Sequence, residues 1–222
     1  VKGWKPEAPD GVLSPAEVTR WGEASAKAAR ELFERMLGPV RVPPVRLMLM
    51  DAQQYSSEAG TTIMAGVSRG NEVVMKVALP PSMASTLTHE YVHVIQAMLF
   101  RKQQRWMMEG MATSLERSPR SPGRFNRAEI AESLGVTWER KPVTQIVTWT
   151  ESANSDPREG QRYRAAHALF DYLRFSGFSV PEVRLGFLMG TRDRGMVANA
   201  GLEATYGRTM EELDAGMKAW MG

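Results

Sequence analysis

The stretch from Ser85 to Gln96, STLTHEYVHVIQ, constrains this chain more than any other. It places two of the three histidines four positions apart, with Glu90 directly after His89. On an α-helix, residues at i and i+4 project from the same face, so both imidazoles reach one ion. Glu90 points about 100° away around the helix. It need not ligate, and instead meets a water at the ion. The flanks require a helix as well. Leu87, Tyr91, Val94 and Met98 form one apolar stripe, and Val92, Ile95 and Leu99 form another. His89, His93 and Gln96 share the remaining side. Histidines enclosed on such a helix without partners would be costly, and a metal gives them a purpose.

The remaining ligands follow by elimination. The chain has no cysteine, so disulfides and thiolate sites are excluded and any metal is held by His, Asp or Glu. Zinc deaminases need cysteines and fall on the same ground. Elongated zincins need a histidine six positions after the second, where Leu99 stands. Glu90 and His93 also spell the ExxH of di-iron bundles, which needs a second such pair. The only other histidine, His167, has Arg164 three positions before it. The third ligand is therefore expected to be a carboxylate further along. RWMMEGMATSLE supplies Glu109, sixteen positions after His93, with Glu116 in reserve roughly on the same helical face. That gap lets the first helix end, the chain turn and a second helix pack alongside, with Gly110 permitting a close approach.

Around this segment the chain reads as short strands followed by helices, which suggests α+β. Ser14, Pro15 and Glu17 mark a helix start, and Gly38 marks its stop. Val45 to Met50 and Asn71 to Leu79 read as strands. The glycine-containing stretch between them reads as a further short strand or an extended loop. Pro80-Pro81 closes the second strand, and the HEYVH helix runs from about Ser82 to Lys102. A second helix begins near Trp106, and RSPRSPGRFNR is the best loop candidate. RYRAAHALFDYLRFSGF is helical until Gly177, and TMEELDAGMKAWM is a helix after Gly207.

HEYVH followed by WMMEGMA resembles the gluzincin metallopeptidases, and among them the small bacterial peptidase MA-like domains. There the third ligand lies in a Trp-x-x-Glu-Gly-x-Ala context, which Trp106, Glu109, Gly110 and Ala112 match. The likeness covers roughly residues 15 to 221, with only the His-Glu-His motif and the Glu-Gly turn specific. It implies a zincin-like α+β fold in a single domain over residues 1–222. A small mixed sheet with helices would occupy about 1–102, a mainly helical part about 103–222, and a cleft would lie between. It also implies one zinc per chain on His89, His93 and Glu109, with Glu90 as general base in peptide hydrolysis. Such domains carry a tyrosine at the start of the later helix, which makes Tyr163 the expected oxyanion donor, with His167, one turn on, as the alternative. One departure stands out. Thermolysin-type members support a histidine with an Asp four residues after the ligating Glu, and Thr113 occupies that position.

An extended peptide or protein substrate is expected to lie along a strand edge, and NEVVMKVAL, just before the HEYVH helix, is the natural edge. Met107, Met108 and Met111 either line an apolar subsite or, as methionines more often do, fill the core. The alternative function is a non-catalytic zincin-fold binding or regulatory domain. Nucleic acid is not an expected partner. The pI is near 9.3, but the net charge is only +3 and no basic run marks a contact. No apolar stretch approaches the roughly eighteen residues of a membrane helix. Export or the periplasm is favoured over the cytoplasm, while substrate identity and oligomeric state are not legible.

Overall fold

The structure, a computed structural model, describes residues 14–41, 44–59, 66–76, 80–100, 103–117, 141–148, 159–175 and 198–221. Its first helix, α1 (Pro15–Leu37), starts as the sequence dictates. The Ser14 N–H donates to Glu17 Oε2 at 2.8 Å, and the Glu17 N–H donates to Ser14 Oγ at 3.3 Å. This reciprocal cap satisfies two otherwise orphaned donors, a feature contributing about 1 kcal/mol in typical helices. The Ser14 hydroxyl, donating to the same carboxylate, holds Glu17 below the usual carboxylate range. Ala29, Leu32 and Phe33 form the buried side of the helix.

Three strands follow: β1 (Arg46–Met50), β2 (Gly66–Arg69) and β3 (Glu72–Lys76). Their order is β1-β3-β2, with β1 parallel and β2 antiparallel to β3. The two-residue Gly70-Asn71 turn closes the β2–β3 hairpin and puts Arg69 opposite Glu72. Val73, Val74 and Met75 are all buried, so β3 carries the continuous apolar run of a central strand.

That order overturns the expected substrate edge. NEVVMKVAL supplies β3, whose two sides are already paired, and the open edges among the described residues belong to β1 and β2. Its final residues, 77–79, lie outside the described ones.

Two other local expectations change. The stretch between the outer strands holds a helix, α2 (Ala52–Ala59), before the short strand β2. Asp51 starts it, since its Oδ1 accepts the Gln54 N–H at 2.8 Å. Pro80-Pro81 opens α3 (Pro80–Leu99) rather than closing a strand. In the first turn a proline's missing N–H has no intrahelical acceptor to lose. Along α3, Leu87, Tyr91, Val92, Val94 and Ile95 are buried as the two stripes require, but Met98 is 40% exposed. Thr88 Oγ1 donates to Ser25 Oγ at 3.0 Å and ties α3 to α1.

The chain divides into two compact units, Val1–Glu34 with Pro39–Leu99, and Arg35–Gly38 with Phe100–Gly222. The second contains α4 (Arg105–Arg117), α5 (Pro142–Val147), α6 (Glu159–Phe175), α7 (Ala198–Tyr206) and α8 (Met210–Met221). Its core forms where α4 packs on α6, with Trp106, Met111, Leu169 and Phe170 fully enclosed. Met107 is buried there too, so two of the three methionines flanking Glu109 are core, while Met108 is half-buried.

Gly110 permits a close approach, but the helix it admits is α6. A Cβ at Gly110 would collide with the Ala166 carbonyl oxygen. Buried Asp214 of α8 caps α5, accepting the Val143 N–H at 2.6 Å and the Thr144 hydroxyl at 2.9 Å. The candidate loop from Ser118 onward and the stop at Gly177 lie outside the described residues. The architecture is α+β, mostly helical with one small mixed sheet. No described helix is long and apolar enough to cross a membrane.

Candidate metal centre

The four-residue spacing on α3 does what helical geometry demands. His89 Nε2 and His93 Nε2 lie 3.0 Å apart, with ring centroids 4.7 Å apart and the planes nearly perpendicular. Two zinc–nitrogen bonds of about 2.0–2.1 Å at a tetrahedral angle would separate the nitrogens by roughly 3.3 Å. The imidazole pair thus fits one ion.

Gln96, one turn on and 1% exposed, fixes the second ring. Its Oε1 lies 2.8 Å from His93 Nδ1. An amide oxygen only accepts, so Nδ1 donates to it, which leaves Nε2 as the nitrogen on the side of His89.

His89, His93 and Glu109 each offer one ligand atom within 4.8 Å of the others, so the three can hold a metal ion. Glu109 is 8% exposed, unlike the solvated glutamate common on helices. Glu116 is half-buried and is not part of that group. No family model, curated protein or solved structure matches this chain.

Glu90 is buried on α3 with its stem against β2. A Cβ on Gly66 would lie 3.1 Å from Glu90 Cγ and 3.0 Å from Thr86 Cγ2, so the glycine makes room for the strand to pass. Tyr55 of α2 is fully buried, and its hydroxyl has no hydrogen-bond partner among the described residues. Burial first, and then the Glu90 carboxylate, pushes this phenol up to about 12, with Arg69 opposing. Tyr55 therefore stays protonated as a buried donor in the field of Glu90.

On α6, the two residues expected as oxyanion donors have different surroundings. Tyr163 is half-buried and accepts a bond from Arg105 Nη2 at 3.3 Å. His167 is 2% exposed, with its Nε2 3.1 Å from Asp171 Oδ2. Asp171 Oδ1 in turn accepts the Ser114 hydroxyl at 2.6 Å. Thr113, which stands where an Asp supports a histidine in thermolysin-type enzymes, makes no hydrogen bond through Oγ1 among the described residues.

Sequence reasoning placed Gln96 on the histidine side of α3 without a role. The i, i+3 spacing from His93 was the signal that it reaches the ring. Tyr55, Gly66 and Arg105 carry no such signal, because tertiary packing sets the surroundings of each.

An outer partner of this kind typically contributes 10–100-fold to metal affinity. Gln96→Ala is expected to weaken metal binding by about that factor, read by competition with a chromogenic chelator. Unchanged affinity in a folded variant would remove Gln96 from the centre.

Proposed function

We propose that this chain is a zinc-dependent peptidase of the gluzincin kind, with His89, His93 and Glu109 as ligands and Glu90 as general base. One observation carries the reading. Three ligand atoms of the right chemistry converge, while Glu90 sits beside the histidines on the same helix and outside the ligand group. Two neutral nitrogens and one carboxylate leave a coordination position open, the mark of a catalytic rather than a structural site. Zinc bound there supplies Lewis acidity, acidifying water and polarising a carbonyl oxygen.

The chain's own residues do the rest. A Glu90 carboxylate oxygen takes a proton from the attacking water and later delivers it to the departing amine. Packing of its stem against Gly66 keeps that oxygen in place. Tyr163 donates its phenolic proton to the carbonyl oxygen as negative charge develops there. Its half-buried position favours it over His167, which is enclosed and engaged with Asp171. An extended peptide adds to β2, whose outer edge is open among the described residues and whose Gly66 leaves room for the Glu90 stem.

The test measures metal content of the purified protein alongside cleavage of a mixed peptide library. One zinc per chain is expected, with cleavage lost to a chelator and restored by zinc. Stoichiometric zinc with peptide bound and never cut would instead establish a binding module.

A further inference from the structure

The α4–α6 pairing in the second unit sets a contact that bears on how the Tyr163 phenol is used. Arg105 opens α4 and lies four residues before Glu109, so the two share a helical face. Arg105 Nη2 donates to the Tyr163 hydroxyl oxygen at 3.3 Å, and the guanidinium carbon stands 5.9 Å from the ring centroid. Tyr163 is thereby held beside the α4 face that carries Glu109.

The register that makes this contact is rigid. Gly110 admits the Ala166 backbone, and one turn further Ser114 donates to the buried Asp171. The phenol cannot drift along α4 without breaking these.

A guanidinium has five donors and no acceptor. The Tyr163 oxygen must therefore accept from Arg105, and its single proton has to point elsewhere. We propose that Arg105 is a positioning residue for Tyr163: by occupying a lone pair of the phenol it directs the phenolic proton to the substrate carbonyl oxygen. This rests on the peptidase reading above and on Tyr163 as its oxyanion donor. Arg105 does not touch the reacting atoms and acts through the tyrosine.

The experiment compares wild type, Arg105→Gln, Arg105→Lys, Tyr163→Phe and the Arg105→Gln/Tyr163→Phe double variant, each loaded with zinc. Misplacing a catalytic group costs up to about a hundredfold in rate. Arg105→Gln is thus expected to lower kcat by about tenfold to a hundredfold with KM nearly unchanged. Arg105→Lys, still a cationic donor, recovers part of the loss. In the Tyr163→Phe background Arg105→Gln has no further effect, because the group it positions is gone. Equal losses in both backgrounds, or a full kcat in Arg105→Gln, would overturn the proposal.

A second readout needs no activity. The chain has five tyrosines, and with ring-labelled tyrosine the 13C resonance absent from Tyr163→Phe identifies that phenol. Arg105→Gln should move this resonance and leave the other four in place. An unmoved resonance in a protein that cleaves peptide sinks the Arg105 role alone. A wild type that holds zinc and cleaves nothing sinks the peptidase reading, and this proposal with it.

Discussion

Glu90→Gln is expected to keep its zinc, keep its fold and lose peptide cleavage. Glutamine preserves the side chain's length, so its stem still fits the space that Gly66, lacking a Cβ, leaves beside it. Tyr55 is a neutral phenol with or without the Glu90 charge, so its protonation does not change. What glutamine cannot do is accept a proton from water. A general base typically contributes about 10²–10⁴-fold, so turnover should fall by that order with metal content unchanged. Peptide should remain bound and intact, which makes the variant a trap for the natural substrate. If wild type and Glu90→Gln process a peptide library equally, the cleavage belongs to another protein or another site. Loss of zinc in Glu90→Gln would show that Glu90 ligates, against the position helical geometry assigns it.

Legibility in the sequence followed the range of the interaction. The Ser14–Glu17 cap, the apolar stripes of α3 and the convergence of His89 with His93 are all local. Each depends on residues three or four apart, and each appears where the spacing puts it, apart from the exposed Met98 of one stripe. Strand order is not local. NEVVMKVAL looked like an edge because it precedes the histidine helix, yet its run of Val73, Val74 and Met75 is what burial on both faces requires. An edge strand facing solvent would have alternated.

Gly110 shows the same limit. A glycine beside a ligand announces a close neighbour without naming it, and the neighbour is α6. Gln96 was within reach of sequence reasoning, since a carbonyl one turn past a ligating histidine is a natural outer partner. The Ser114–Asp171–His167 chain was not, because it is assembled between two helices far apart in sequence. Its enclosure also explains why His167, one turn after Tyr163, is the weaker candidate for contact with substrate.

The third ligand is where sequence and geometry can be separated most sharply. Glu109→Gln removes the charge that would neutralise a bound ion while keeping the side chain's volume in its buried position. Wild type and Glu109→Gln are compared by the stability each gains from metal. A ligand bound at a hundred times its dissociation constant stabilises the fold by about 2.7 kcal/mol. Wild type should gain that much at a suitable zinc concentration, while Glu109→Gln, with zinc affinity lowered more than about a hundredfold, should gain little. Thermal melts of both proteins with and without zinc read the difference directly. Glu116→Gln is the control, since Glu116 is half-buried and outside the ligand group, and its melt should shift with zinc as wild type does. Should Glu116→Gln lose the zinc-dependent shift while Glu109→Gln keeps it, the carboxylate ligand moves one helical stretch along α4.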